Sequence, residues 1–371
     1  VHVARVRVRD FRNLEHVEIE PSPGFNVVVG PNGQGKTNLL ESIHVTATLR
    51  SFRGLRSKDL IRHGTDEAVI DAEAERAGSR RQLRVTLRPH GRRVELNDKP
   101  VRVLEDFFGT VNAVAFCPDD IGILRGGPSD RRLFFDRAVF ALFPSYGVES
   151  QRYESALRQR NALLRAEHPD RSLVRAWDAQ LVDLGSAVIE RRRAYLAAIQ
   201  EPLLRSFAEI FDARLPLRVD HLASGEDNDG IDESATLTGT ALRTWYAERL
   251  EGSWRRDIGR GHTTFGPHRD DFVVHLSDHA VRGRASQGQQ RGIVLALKIT
   301  EIRLLTERYS SSPVLLLDDV SSELDPDRNR RLFDFLATVD SQVFITTTDA
   351  DYLRLRSRYQ RWDMENGSVR S

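Results

Sequence analysis

The sequence predicts an α/β fold, a head split in two along the chain with a helical hairpin inserted between its halves. Three observations carry this prediction. Residues 1–115 alternate apolar and polar positions between turns, in VHVARVRV, HVEIEP, FNVVVG, AVIDAEAE, RQLRVTLR and RRVELNDKP, the period-two pattern of half-buried strands. Residues 128–213 change to helical spacing. From residue 255 strand and helix patterns alternate again, and the apolar runs in VLLLDD and QVFITT read as buried strands. The expected organisation is a first half of the head at 1–115, an arm at 116–250 and a second half at 251–371.

In the first half, FNVVVG runs into Gly30-Pro31-Asn32-Gly33-Gln34-Gly35-Lys36-Thr37, and a helix follows to about Leu49. A strand, this glycine spacing, Lys-Thr and a helix together make a phosphate-binding loop. Backbone N–H groups of such a loop and the helix N-terminus bind phosphates. Lys36 is placed to reach the β and γ phosphates, and Thr37 to ligate Mg²⁺. Composition singles out Lys36. The chain has only four lysines among 55 basic residues, so arginine is its usual cation. A compact ammonium fits between phosphate oxygens where a planar guanidinium does not.

The arm reads as SYGVESQRYESALRQRNALLRAE followed by RSLVRAWDAQLVDLGSAVIERRRAYLAAIQ, with Leu173, Trp177, Leu181, Leu184 and Val188 at helical spacing. HPD at 168–170 joins the two helices, with Asp170 as the N-cap. About 30 helical residues reach on the order of 45 Å. Pro202 is expected to end or kink the second helix. The polar run at 224–234 reads as a surface loop.

In the second half, Ser286 of ASQGQQR reads as the N-cap of the helix GIVLALKITEIRLLTER. VLLLDDVSSELDP, 314–326, is an apolar strand ending in two acids. Asp318 is the expected Mg²⁺ ligand, directly or through water. Asp319, one residue on, is placed to orient or deprotonate an attacking water. A phosphate-binding loop, then Ser-x-Gly-Gln at a helix start, then an acidic strand and Ser322-Glu323-Leu324-Asp325 is the order in ABC-type ATPases. The chain therefore resembles a P-loop ABC-type ATPase head. That resemblance implies that Ser286, with Gly288 and Gln289, contacts the γ-phosphate of ATP bound to another subunit. Two ATP molecules then sit between two heads of a homodimer.

A closer resemblance is to the RecF family, relatives of the SMC heads. It rests on RVRDFRNLEHVEIEPSPGFNVVVGPNGQGKTNLLESI, FCPDDIGILRGGPSDRRLFFDR (116–137), TTFGPHRDDF (263–272), ASQGQQR (285–291) and LLLDDVSSELD (315–325), which run from near residue 5 to 325. The Gly-Pro-His-Arg-Asp-Asp block is the most specific and the phosphate-binding loop the least. The resemblance implies ATP and Mg²⁺ as ligands, an ATP-dependent homodimer and slow, DNA-stimulated hydrolysis. It also implies binding to duplex DNA beside a single-stranded gap, and work with RecR and RecO in loading RecA. Gly30 to Thr37, Ser286, Asp318, Asp319 and Asp325 carry over. Arg12 and Asn13 match a Phe-Arg-Asn element that approaches the nucleotide in SMC-like heads, an exposed turn arginine being the other reading.

The chain also departs from the ABC pattern. Asp319 stands where a glutamate is usual, one methylene shorter, which predicts slow hydrolysis. The lobe-joining glutamine is not evident at Cys117-Pro118-Asp119-Asp120, nor the switch histidine at Thr346, Thr347, Thr348 or Asp349. These departures argue against a transporter subunit, and too few residues follow 326 to hold the metal-binding domain of a related nuclease.

For DNA, Arg50, Arg53, Arg56, Lys58 and Arg62 lie within 13 residues, opposed there only by Asp59. Phosphate contact by such cations gives affinity without sequence readout and steep salt dependence. A solvated basic loop is the alternative, and Phe52 within it is either an aromatic contact or core. Arg131 and Arg132 at the arm base, with Arg137, are a second candidate, and Arg191-Arg192-Arg193 a third or a solvated helix face. His268 faces the nucleotide or stabilises the fold. The remaining expectations come from composition. A net charge of +1 argues for no partner class. No apolar run reaches the roughly 18 residues of a membrane span. The lone Cys117 excludes an intrachain disulfide and fits a reducing cytoplasm.

Overall fold

The alternating and apolar segments form strands where their periods place them. This computed structural model describes residues 1–370 apart from 77, 212–214, 225–233, 321–325 and 354–357. The chain opens with β1 (His2–Phe11), β2 (Leu14–Ile19), β3 (Phe25–Val29), α1 (Lys36–Thr48) and the single turn α2 (Ser57–Leu60). Next come β4 (Ala68–Arg76), β5 (Ser79–Arg88), β6 (Gly91–Leu96), the two-residue β7 (Lys99–Pro100) and β8 (Ala113–Phe116). Helices α3 (Gly122–Arg125), α4 (Pro128–Leu142), α5 (Ser145–Leu164) and α6 (Arg171–Ile210) follow. Then come β9 (Leu217–Leu222), α7 (Gly239–Gly252), α8 (Trp254–Arg260), β10 (Asp271–Leu276) and β11 (His279–Ala280). The chain closes with α9 (Gln287–Tyr309), β12 (Val314–Asp318), α10 (Pro326–Thr338), β13 (Val343–Thr347), β14 (Tyr359–Glu365) and β15 (Ser368–Arg370).

Contacts divide the chain into two units. The first comprises Val1–Ile121, Glu209–Phe211 and Gln287–Ser371. It holds an antiparallel sheet in the order β2-β1-β4-β5-β6-β7 and a second sheet in the order β15-β14-β3-β13-β12-β8. In the second sheet the strands from β14 to β8 are parallel. β3, β12 and β13 are buried at every position, as strands covered on both faces must be. Helix α1 packs on strands of both sheets, and its Leu39, Leu40, Ile43 and Val45 join the same core as Val6, Ile70, Val85 and Leu316. Each such side chain adds roughly 1.5–3 kcal/mol of burial. The helix that presents the phosphate-binding loop is thus among the most firmly held parts of the unit.

The second unit comprises Gly122–Ala208 and Asp212–Ser286, with helices α3 to α8 and the small sheet β11-β10-β9. The division therefore falls after Ile121 and after Ser286, where the sequence reading expected 115 and 250. The later boundary has a clear cause. β10 pairs antiparallel with β9 from Asp271↔Leu222 to Leu276↔Leu217, and Phe272 stacks on Phe135 at 4.5 Å. Both tie the segment after 250 to the helical unit.

Asp170 caps α6 as expected, its Oδ1 accepting from the Ser172 amide at 2.8 Å. The helix spans 40 residues, about 60 Å at 1.5 Å per residue. It continues through Pro202 to Ile210, so the proline does not end it. Ile199, Leu203 and Phe207 are buried on either side. Their burial outweighs the ~3 kcal/mol of an internal proline. Residues 225–233 of the expected surface loop lie outside the described residues. Among the described residues no helix is long and apolar enough to cross a membrane.

Candidate nucleotide-binding site

The parallel sheet order places β13 between β3, which leads into the glycine loop, and β12, which ends in the acids. Two of its glycines leave no room for a side chain, Gly30 and Gly35. Gly33 and Gly35 have φ of 81° and 116°, and a Cβ on Gly35 would lie 2.9 Å from both Asn13 Oδ1 and Leu14 Cδ2. A Cβ on Gly30 would overlap the Met364 carbonyl oxygen. Asn13 Nδ2 and the Gly367 amide both donate to the Gln34 carbonyl, at 3.1 and 2.9 Å. Lys36 curls into the loop, its Nζ donating to the Gly30 carbonyl at 2.6 Å and the Pro31 carbonyl at 2.9 Å. It is 7% exposed. Burial lowers its pKa, while the fields of Asp319 and Asp318 oppose the change.

Residues remote in sequence meet beneath the loop. Thr37 Oγ1 donates to Asp318 Oδ1 at 2.8 Å, across 281 positions. Asp318 is 8% exposed. Burial raises its pKa and the hydrogen bonds from Thr37 and Thr346 lower it. Asp319 follows in a left-handed turn, φ 49°. The residues fit the implied ligands. Glycines leave room for phosphates against backbone amides at the start of α1, Lys36 supplies a partly enclosed ammonium, and Thr37 and Asp318 are the hard oxygen donors that suit Mg²⁺.

Other expected residues separate into groups. Asn13 belongs to the wall of the loop, since Asn38 Nδ2 also donates to its Oδ1 at 2.7 Å. Arg12 sits in a turn at φ 57°, its Nη1 donating to the Asp59 carbonyl at 3.0 Å. Ser286 is exposed and immediately precedes α9, whose first turn carries Gly288 and Gln289. Asp325 lies outside the described residues. In the sequence Thr346 is one of the residues in the missing histidine's place. Its hydroxyl contacts Asp318 and the Asp319 amide, and the available signal was its register opposite Asp318.

The basic segment after α1 is anchored from within. Ser51 Oγ donates to the fully buried Glu41, whose pKa is raised by burial, and the Arg53 amide donates to Ser51 Oγ at 3.0 Å. Phe52 is 3% exposed and meets His44 edge-on, so it is core. Arg53, Arg56 and Lys58 are exposed, while Arg50 is half-buried. Arg62 pairs with Glu15 at 2.9 Å and Asp10 at 3.6 Å.

The arm-base arginines are structural. Arg131 is 5% exposed and makes two 2.7 Å bonds to Asp271. Arg132 Nη1 donates to the Asp270 carbonyl at 2.7 Å. Arg192 is buried between Asp136 and the Pro267 carbonyl. In Arg131 and Arg192 the charge is neutralised inside the unit, which removes these two as DNA contacts. Arg132 is half-buried and tied to the same core.

The Gly-Pro-His-Arg-Asp-Asp block is the hub of that interior. His268 Nδ1 lies 2.7 Å from Tyr153 Oη and its Nε2 lies 3.1 Å from the Thr263 carbonyl. A carbonyl only accepts, so Nε2 carries the proton and Tyr153 donates to Nδ1. Burial pushes the His268 pKa down to about 4. The neutral imidazole fits this site, and the cation does not. The stability it contributes is present above its unfolded pKa of about 6.5 and is lost as pH falls toward 4. Between pH 7 and pH 5 this one group removes about 2 kcal/mol. Urea midpoints at the two pH values will therefore fall further in the wild type than in His268→Gln, and equal falls would contradict the assignment.

Known proteins resemble this chain in sequence and in fold. Residues 2–370 match the family described as RecF/RecN/SMC N terminal domain. The DNA replication and repair protein RecF of Geobacter sulfurreducens is 42% identical over 360 residues, 96% of this chain and 95% of that protein. The RecF of Myxococcus xanthus is 41% identical over 350 residues, 94% of this chain and 91% of that one. Among solved structures, the recombination mediator protein RecF with ATP in the RecFOR pathway superposes with a TM-score of 0.85 at 28% identity, covering 100% of this chain and 97% of that chain. An Smc head bound to the C-winged helix domain of ScpA gives 0.52 at 15% identity over 100% and 96%, a likeness of fold alone.

Proposed function

The chain belongs to the RecF family of DNA replication and repair proteins, and from that premise we propose that it is an ATP-gated DNA clamp. The observation that carries the proposal is the Thr37–Asp318 hydrogen bond beside the enclosed Lys36, which joins the phosphate-binding loop to the acidic strand. In this reading the amides of Gly33 to Thr37 and the Lys36 ammonium hold the triphosphate of ATP, and Asn13 braces the loop. Thr37 and Asp318 would hold Mg²⁺, which would supply charge neutralisation at the phosphates. Asp319 orients or deprotonates the attacking water. Its short side chain makes hydrolysis slow, so turnover times release.

Ser286, Gly288 and Gln289 at the start of α9 complete the site of a second molecule, so each ATP closes a dimer. The first unit is the ATPase head and the second its arm. The closed dimer holds duplex DNA beside a single-stranded gap in the cytoplasm, and acts there with RecR and RecO to load RecA. The family's place in DNA repair and the RecFOR structure support these partners.

Arg53, Arg56 and Lys58 are the DNA-facing cations of this proposal because they are exposed, and the Ser51–Glu41 anchor holds the Arg53 backbone. Reversing Arg53 and Arg56 together to glutamate should weaken binding to gapped duplex about tenfold or more. The slope of log affinity against log salt should flatten by about two, one per lost phosphate contact. Fluorescence anisotropy across a salt series measures both, and unchanged binding would place the DNA surface elsewhere.

A further inference from the structure

β13 is the central strand of the site, and Thr346 is its residue opposite Asp318. The side chain is fully buried. Its hydroxyl donates to Asp318 Oδ1 at 2.8 Å and accepts from the Asp319 amide at 2.9 Å. A hydroxyl has one hydrogen to donate and lone pairs to accept. One side chain therefore binds the carboxylate of the first acid and the backbone of the second. Asp319 has particular need of such a bond. Its φ of 49° lies in the left-handed region that L residues disfavour, and the bond to Thr346 holds the amide on one side of that turn. Asp318 Oδ1 also receives Thr37 Oγ1, so donors from α1 and β13 converge on one carboxylate oxygen.

We propose that Thr346 is the positioning residue of the hydrolytic centre, holding Asp318 toward the metal and fixing the turn that directs Asp319 at water. The inference rests on the reading of this site as an ATPase. Thr346→Val and Thr346→Ser separate it from a role in packing alone. Valine keeps the shape and suits a strand but has no hydroxyl, whereas serine restores the hydroxyl.

The measurements are kcat and KM for ATP in the full-length protein with DNA, and affinity for a fluorescent ATP analogue in Mg²⁺ and in EDTA. Thr346→Val should lower kcat about tenfold or more with KM within about twofold, as for a misplaced catalytic group. Its gain in nucleotide affinity from Mg²⁺ should shrink while affinity in EDTA stays at the wild-type value. Thr346→Ser should restore both. Wild-type kcat in the valine variant would overturn the proposal, as would a loss that serine does not recover or an equal loss of affinity in EDTA. If the valine variant does not fold, Thr346→Ala takes its place with the same expectations. If the wild type hydrolyses no ATP, the ATPase reading fails by itself, and the Mg²⁺-dependent affinity still decides whether Thr346 positions Asp318.

Discussion

Lys36→Met is expected to lower ATP affinity and turnover together, each by about 100-fold or more, the scale of removing a charged donor from a preorganised phosphate site. Methionine matches the length of the lysine stem and suits its nearly enclosed surroundings. The variant therefore removes the ammonium while leaving the helix that carries it intact. Loss of the charge also strands the Gly30 and Pro31 carbonyls that Nζ now satisfies. Those oxygens would then face the phosphates with no cation between them. Equilibrium binding of a fluorescent ATP analogue and a phosphate-release assay measure the two losses. Wild-type turnover in this variant would remove Lys36 from the site.

Ser286→Arg should behave differently. The position is exposed and just outside α9, so a long side chain can extend into solvent. The phosphate-binding loop, Thr37 and Asp318 are untouched, and ATP affinity should stay within about twofold of wild type because uniform binding is retained. Turnover should nevertheless fall about 100-fold, because the arginine blocks the approach of a second head. The combination of retained binding and lost turnover distinguishes a residue acting on another molecule's ATP from one acting on its own. Wild-type turnover per chain would make the trans contact wrong.

What could be read from the sequence depended on the kind of signal. Strands and the loop helix were legible because their periods and the glycine spacing express backbone geometry directly. Lys36, Thr37 and Asp318 were legible for the same reason, since each stands at a fixed offset from a strand end. β9 and β10 were not, because their pairing joins short segments about 50 positions apart and no local pattern records which strands meet. The boundary after Ser286 followed from that pairing. Arg131 and Arg192 show a different limit. In an arginine-rich chain a basic cluster looks alike whether it faces solvent or lies beside a buried acid, and only the fold brings Asp271 and Asp136 to them. His268 left two readings open until its neighbours Tyr153 and Thr263 became visible. Thr346 was the most hidden. Within a run of three threonines, only register against β12 reveals which hydroxyl meets the acids.

In the clamp proposed above, ATP closes two heads around DNA. Light scattering of the wild-type protein with and without ATP, in the presence of gapped DNA, tests it most directly. The protein mass should double from the 42.1 kDa of one chain when ATP is added and return as ATP is consumed. A mass that stays at one chain with ATP, or a dimer that forms equally without it, would contradict the clamp.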